Sequence, residues 1–174
     1  MEKEIWEKAV AFHGHACPGL AIGVRAATLL QEQWHITRGE DEELVCITEN
    51  DACGVDGIQA LLGCTAGKGN LLWHITGKMA FSFYERNSGR ACRMVLIAQQ
   101  GSRSREDYQR YLLEGPAQEI FTIEKPRFPL PAKAPHYDSC RCENCSEWTA
   151  EPYIRLQKGK KVCIDCYRDE NRNQ

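Results

Sequence analysis

The spacing of apolar residues changes several times along the chain, and each spacing predicts a different element. Residues 3–12 place their apolar side chains on one helical face, which predicts an amphipathic helix. A second helix is expected over residues 18–34, because its first residue is a proline, which is favoured at the start of a helix. Residues 44–48 predict a short strand, and residues 55–62 predict a short helix that ends at Gly63.

The middle of the chain has a pattern typical of strands. Residues 71–76, 79–84 and 91–98 predict three strands that are joined by turns containing glycine. A polar helix is expected over residues 104–113, and residues 120–123 predict a last strand. The order of helix, strand, helix and three strands indicates an α+β domain.

A proline-rich stretch divides the predicted domain from the rest of the chain. Four prolines between residues 125 and 135 disfavour helix and sheet and favour an extended backbone, so residues 126–135 are predicted to be a linker. Residues 1–125 are then the α+β core domain. Residues 136–174 contain too few apolar side chains for a core of their own, so they need a stabilising cross-link or a metal.

Composition and charge exclude several classes of protein. The chain has 174 residues with 24 acidic and 22 basic side chains, and its net charge of -2 gives no reason to expect binding to nucleic acid or to a membrane surface. The first ten residues are charged and do not resemble a secretory signal, and no apolar run approaches the roughly 18 residues that span a bilayer. We therefore expect a cytoplasmic protein without a membrane span. Its ten cysteines then favour metal ligands, reactive thiols or buried thiols over disulfides.

Four cysteines near the end of the chain have the spacing of a structural zinc site. Two C-x2-C pairs are separated by seventeen residues, which is within the range found for tetrahedral zinc held by four thiolates. The four residues are Cys142, Cys145, Cys163 and Cys166. Such a site is closed to substrate, so it indicates a structural role.

The chain around these cysteines resembles a treble-clef zinc finger. Residues 153–162 alternate around a turn and predict a hairpin, and a helix over residues 165–171 would carry the last ligand. Cys140 lies two residues before the first pair and could replace a ligand or remain a spare thiol. Because acidic and basic side chains are mixed here, a basic groove is not evident and nucleic-acid binding is not favoured.

A second group of metal-ligating residue types lies between the first two predicted helices. His13, His15 and Cys17 alternate, and in an extended segment they would point to one side as half of a metal site. Cys17 comes directly before a predicted helix, whose amino end would favour its thiolate. The alternative is a histidine-containing cap that packs beneath the sheet. Cys53 and Cys64 lie in predicted turns or loops and could either join this site or be buried thiols.

Other residues with chemical capability are weaker candidates. Cys46 and Cys92 fall within predicted strands, where a small buried thiol is the better explanation. Residues 63–69 lack the spacing of a nucleotide-binding loop, although Lys68 could hold a small anion there. Carboxylates in the turns before the short helix could serve as acids or bases or could cap the helix. The catalytic candidates are Cys17, His15 and Asp56.

Three segments together resemble the E-subunit family of formylmethanofuran dehydrogenase: FHGHACPGLAIGVRAA, ENDACGVDGIQALLGCTAGKGNL and GKMAFSFY. The resemblance implies an α+β core with a mixed sheet, a homodimer and, as in some members, an auxiliary C-terminal finger. The core site that it implies maps onto His13, His15, Cys17, Cys53 and Cys64, with Asp56, Gln59 and Lys68 as neighbours. The family is named for a molybdenum or tungsten enzyme whose pterin chemistry resides on other subunits, so the resemblance does not imply dehydrogenase activity in this chain.

The leading functional hypothesis is a metal-binding accessory protein linked to a molybdenum or tungsten enzyme or to metal metabolism. It would contain zinc in the finger and a second transition metal in the core, and its partner would be an oxidoreductase subunit or another metalloenzyme. One alternative is a small metal-dependent or thiol-dependent enzyme that uses the His/Cys cleft. A second alternative is a module that recognises protein or nucleic acid through the finger. An open coordination position beside a cleft would favour the enzyme.

Overall fold

The computed structural model describes residues 3–167 and separates the chain into two compact units, Met1–Ala134 and Pro135–Gln174. The first unit has the expected α+β architecture, with helices packed on one sheet. Among residues 3–167, none of the helices has the length and the apolar character needed to cross a bilayer.

The described part of the first unit contains five helices and five strands. The helices are α1 (Lys3–His13), α2 (Pro18–Trp34), α3 (Gly54–Leu62), α4 (Arg105–Glu114) and α5 (Ala117–Ile120). The strands are β1 (Leu44–Thr48), β2 (Leu71–Trp73), β3 (Ala80–Glu85), β4 (Ala91–Leu96) and β5 (Phe121–Glu124). The sequence pattern predicted all of these elements except α5, with small differences in their ends.

The five strands form a mixed sheet in the order β2-β1-β3-β4-β5. β1 pairs in parallel with β2, whereas β1 with β3, β3 with β4 and β4 with β5 are antiparallel pairs. Since parallel strands end on the same side of a sheet, the chain leaves β1 and β2 at neighbouring positions. This topology brings the segment after β1 close to the segment after β2.

Strand β2 is three residues shorter than the pattern predicted. Residues 74–77 turn around the end of β1 instead of continuing along it. The His74 amide donates to the Thr48 carbonyl, and the amides of Thr76 and Gly77 both donate to the carbonyl of Glu49. A single carbonyl cannot accept two successive amides within a regular ladder, so the strand ends here.

Helices α2 and α3 cross with their backbones in direct contact. A Cβ atom on Gly23 would lie 1.8 Å from the carbonyl oxygen of Gly54, and one on Gly57 would lie 2.6 Å from the amide nitrogen of Val24. Because neither distance leaves room for a methyl group, glycine is required at these positions of the crossing. The contact holds the amino end of α3 against the first half of α2.

The second face of the sheet is covered by the segment that the sequence predicted as a linker. Val45, Ile47 and Tyr84 form a buried cluster on this face, and Phe128 packs against it. The Tyr84 hydroxyl donates to the carbonyl oxygen of Phe128 over 2.6 Å. The extended segment therefore closes the sheet on the side opposite the helices.

Further hydrogen bonds hold the same segment. Arg86 Nη1 donates to the Pro131 carbonyl over 2.8 Å, and its Nη2 donates to the Ala132 carbonyl over 3.0 Å. The Ala134 amide donates to a carboxylate oxygen of Glu42 over 2.9 Å. Residues 126–134 have the extended backbone that their prolines predicted, and they belong to the first unit.

The second face also contains a buried ion pair. Arg93 on β4 donates to both carboxylate oxygens of Glu49, from Nε over 2.6 Å and from Nη2 over 2.9 Å. Its Nη1 donates to Glu124 on β5 over 3.0 Å, and the Thr76 hydroxyl donates to Glu49 over 3.1 Å. The hydrogen bond from Arg93 lowers the pKa of Glu49, against the effect of burial, so Glu49 is ionised in this pair.

The described residues of the second unit, 135–167, form two small antiparallel sheets. The first sheet pairs β6 (Ser139–Arg141) with β7 (Trp148–Ala150), and the second is the predicted hairpin of β8 (Ile154–Gln157) and β9 (Lys160–Cys163). Cys142, Val162 and Cys163 form its buried cluster. Asp165 and Cys166 stand in a turn, and the rest of the helix predicted there, from residue 168, lies outside the described residues.

Candidate metal sites

The amino ends of α2 and α3 bring three ligand side chains together, which we call the His/Cys group: His13, Cys17 and Cys53. One ligand atom from each lies within 4.8 Å of the others. Cys17 is the N-cap of α2, where its Sγ accepts the Leu20 amide over 3.3 Å, and Cys53 is the N-cap of α3. A Cβ on Gly19 would lie 3.1 Å from Cys53 Cβ, so the glycine at this position lets the two cysteines approach.

His13 is oriented towards the cysteines by a carboxylate. Its Nδ1 lies 2.7 Å from Asp56 Oδ2, and its Nε2 lies 3.8 Å from Cys17 Sγ. Gln59 Nε2 donates to the other oxygen of Asp56 over 3.1 Å. With a hydrogen on Nδ1 for this bond, Nε2 presents its lone pair to the group, which is the arrangement of a metal-ligating histidine with its supporting carboxylate.

The chemistry of this donor set suits a borderline transition metal. One imidazole and two sulfurs are ligands for zinc, nickel, copper or iron, whereas magnesium and calcium prefer oxygen. In the protein alone, burial and then a hydrogen bond with Cys17 raise the pKa of the Cys53 thiol. A bound cation would reverse this effect, because coordination favours the thiolate.

A cleft of about 440 Å³ opens beside the His/Cys group. His13 and Cys53 line it, whereas Cys17 does not line it and is only 3% exposed. The full lining consists of His13, Asp51, Ala52, Cys53, Val55, Asp56, Gln59 and Trp73. A ligand in the cleft would therefore reach the group from the side of His13 and Cys53.

Two residues that the sequence placed in the core site lie outside the group. His15 is exposed, and its ring centroid lies 4.6 Å from that of His13. Cys64 is fully buried, and burial raises its pKa to about 12. Cys46 and Cys92 are buried in strands β1 and β4 as expected, on the face that packs against the helices.

The loop at residues 63–69 serves the fold and does not present its lysine to an anion. Lys68 Nζ donates to the carbonyls of Asp41 and Glu40 over 3.0 and 3.2 Å. Asn70 Oδ1 accepts the Thr65 amide, and Asn70 Nδ2 donates to the Leu44 carbonyl. These bonds fix the loop against the start of β1.

The second unit contains the four-cysteine group predicted from the two C-x2-C pairs. The sulfurs of its members all lie within 4.8 Å of one another: Cys142, Cys145, Cys163 and Cys166. Backbone amides, that of Cys145 first, lower the pKa of Cys142 to about 6, and the Cys163 amide donates to its Sγ over 3.3 Å. Cys140 is not a member, since it lies on β6 opposite Thr149. This group could hold a metal such as zinc.

The comparison with family models decides the relationship of the chain. The model described as "FmdE, Molybdenum formylmethanofuran dehydrogenase operon" matches residues 12–124, which is more than half of the 174 residues. The chain belongs to the FmdE family. The match includes all three members of the His/Cys group, and it ends before the four-cysteine group.

Two similar proteins extend this comparison beyond the FmdE core. A curated relative from Archaeoglobus fulgidus, a "Probable S-adenosyl-L-methionine-binding protein", is 27% identical over 194 residues, covering 91% of this chain and 51% of the relative. This chain thus spans about half the length of that protein. The crystal structure of an FmdE-like protein of tungsten formylmethanofuran dehydrogenase from Syntrophus aciditrophicus superposes with a TM-score of 0.68 at 22% identity. The superposition covers 94% of this chain and 90% of the other, and it shows that the fold is shared.

Sequence reasoning missed the wall that Trp73 adds to the cleft of this FmdE chain. Trp73 ends β2, and Asp51 and Cys53 follow β1, which lies parallel to β2. The side chains meet because parallel strands end on the same side. Only knowledge of this pairing would have indicated that Trp73 belongs to the site, since an aromatic residue in a short strand is usually a core residue.

Proposed function

We propose that this FmdE-family chain is a metal-binding accessory protein that binds one transition metal at the His/Cys group and one zinc ion at the four-cysteine group. The observation that carries the proposal is the convergence of His13, Cys17 and Cys53 within 4.8 Å, with Asp56 holding the ring of His13. Three ligands supported by a carboxylate beside an open cleft match the arrangement of exchangeable or catalytic metal sites, whereas four thiolates match a structural one.

The family description supports a link to molybdenum or tungsten enzymes. We propose that the partner is an oxidoreductase subunit or another metalloenzyme, and that the protein acts in the cytoplasm. All ten cysteines are free thiols in the structure, which fits a reducing compartment. The pterin chemistry of the enzyme would remain on the partner.

We expect the full-length protein to bind two transition-metal ions per chain and the Cys17→Ser variant to bind one. Serine removes a thiolate from the three ligands of the His/Cys group and leaves the four-cysteine group intact. Asp56→Asn should keep the ligands and weaken the core site by about 10- to 100-fold, because His13 loses its supporting carboxylate. Cobalt titration followed by visible absorption, with elemental analysis of the zinc-loaded protein, measures both changes.

His15→Asn is the matched control for this experiment. The His15 ring lies against His13 but is outside the group, so its removal should leave both metal ions bound with unchanged affinity. The proposal fails if Cys17→Ser still binds two ions as tightly as the wild type. Loss of the core ion in His15→Asn to the same extent as in Cys17→Ser would contradict the assigned ligand set.

A second candidate function is a small metal-dependent enzyme, and the cleft is the observation that favours it. Three protein ligands leave one position of a tetrahedral zinc for water or substrate. The cleft of about 440 Å³ is large enough for a small organic molecule and is continuous with His13 and Cys53. The curated relative makes S-adenosylmethionine the first molecule to test for binding there.

We also propose that the chain forms a homodimer, as the family resemblance implied. Within its own unit the second sheet face is covered, but β2 and β5 remain edge strands with exposed apolar side chains such as Trp73 and Ile123. Exposed edges of this kind favour association. Light scattering at micromolar concentration should give twice the chain mass of 19.8 kDa, and a value near 19.8 kDa would exclude the dimer.

A further inference from the structure

We propose that the cleft beside the His/Cys group selects a small organic cation over neutral and anionic molecules of the same shape. This inference rests on the proposed function for the role of the site, and it adds the charge of the ligand that the site takes. The evidence is the chemistry of the cleft walls, the bonds that already occupy the nearby helix ends, and the rigidity of the loop that carries Asp51.

The walls of the cleft combine carboxylates with an aromatic ring. Asp51 and Asp56 contribute two acidic side chains, and Trp73 contributes an indole that is 48% exposed. Among the described residues that line the cleft there is no lysine or arginine. A cation between a carboxylate and the face of a tryptophan gains from both contacts, whereas an anion would be repelled by the acids.

A metal at the His/Cys group would not reverse this charge balance. Two thiolates neutralise a divalent ion, and His13 contributes no charge as a neutral ligand. Asp56 then remains anionic beside His13, and Asp51 adds its own negative charge to the cleft. The cleft is therefore acidic both with and without the ion.

The amino ends of the two helices do not make the cleft an anion site. Such ends bind anions through free amides, but here the Leu20 amide donates to Cys17 Sγ and the Val55 amide donates to the Ala52 carbonyl. The basic side chain of the adjoining turn, Lys78, acts on the buried carboxylate of Glu49. The donors and charges that an anion would need are already engaged.

The loop that carries Asp51 is fixed before any ligand arrives. The Thr48 hydroxyl donates to the Asn50 carbonyl over 2.7 Å, and Asn50 Oδ1 accepts the Ala52 amide over 3.2 Å. Asn50 Nδ2 also donates to the Lys78 carbonyl over 3.1 Å. A fixed loop loses little conformational entropy on binding, so even a weak preference for charge is expressed as affinity.

The test compares choline with 3,3-dimethyl-1-butanol, which has the same shape without the positive charge. Each is titrated into the full-length, zinc-loaded protein, and binding is followed by heteronuclear NMR through the indole signal of Trp73, assigned with a Trp73→Phe variant. We expect choline to bind about tenfold more tightly than the alcohol, and the anionic analogue 3,3-dimethylbutanoate to bind more weakly than both.

Asp51→Asn should reduce choline affinity about fivefold and leave the affinity for the alcohol unchanged, because only a charged ligand senses the lost carboxylate. Glu106→Gln is the matched control. It removes one acidic charge from the exposed first turn of α4, and it should change neither affinity. Trp73→Leu should weaken choline more than the alcohol, since leucine retains apolar contact without a π face.

Equal or tighter binding of the neutral alcohol overturns the inference, as does an Asp51→Asn variant that binds choline like the wild type. The outcome is separable from that of the proposed function. Cobalt titration reports whether the His/Cys group binds metal at all, and the choline comparison can be repeated on metal-free protein, in which Asp51 and Trp73 are still present. A cleft that prefers choline in a protein without a core metal would refute the metal proposal alone.

Discussion

The Cys142→Ser variant is expected to bind one zinc ion fewer per chain and to lose the folded structure of its second unit. The buried cluster of that unit consists of Cys142, Val162 and Cys163, with Cys166 packed against it, so the metal ligands are most of its core. Structural zinc contributes about 10–16 kcal/mol of binding free energy in small fingers, far more than so few apolar side chains can replace. Elemental analysis combined with limited proteolysis measures the change.

The first unit should remain folded in the same variant, because its helices and sheet have a separate buried core. Cys140→Ser is the matched control, since it removes a thiol two residues away that is outside the four-cysteine group. It should retain full zinc content and resistance to protease. Full zinc content in Cys142→Ser, or loss of zinc in Cys140→Ser, would contradict the assigned ligands.

The Arg93→Met variant is expected to lose about 3–5 kcal/mol of unfolding free energy, because it leaves the carboxylate of Glu49 buried without its charged partner. Both side chains are almost fully buried, at 1% and 2% exposure. Urea unfolding of the full chain followed by circular dichroism measures the loss. In the double variant Arg93→Met/Glu49→Leu, the unpaired charge is gone and much of the stability should return.

Acid should narrow the difference between Arg93→Met and the wild type. The folded pKa of Glu49 is lowered by Arg93, so the stability from this pair is present above the unfolded pKa of about 4.3 and is lost as the pH falls through the folded value. Arg110→Met is the control, since Arg110 forms an exposed pair with Asp107 and its loss should cost less than about 1 kcal/mol. A cost for Arg93→Met no larger than for Arg110→Met would refute the argument.

Local spacing was enough to predict the four-cysteine group. Two residues between cysteines fix the geometry of each pair through one tight turn, and the hairpin of β8 and β9 follows from alternation over a few residues. The start of α2 was equally local, because Pro18 and the side chain of Cys17 satisfy the first turn from within the same segment. Each of these features depends on residues that are close in sequence.

The membership of the core site was not local. Spacing favoured His13, His15 and Cys17 as one half-site, yet α1 continues through His13 and the chain then turns, which leaves His15 outside the group. Cys53 and Cys64 could not be distinguished by their turn-like surroundings. The backbone contact between α2 and α3 placed Cys53 beside Cys17, while burial enclosed Cys64 elsewhere.

The sequence by itself determined the α+β order of elements, the zinc spacing and the extended backbone of residues 126–134. Only the tertiary structure decided that this extended segment covers the second sheet face, that Arg93 and Glu49 pair across 44 positions, and that Trp73 lines the cleft. Periodicity and spacing report which face of an element is apolar and how near two residues are along the chain. They do not report strand order or which helices cross, and those pairings bring distant side chains into one site.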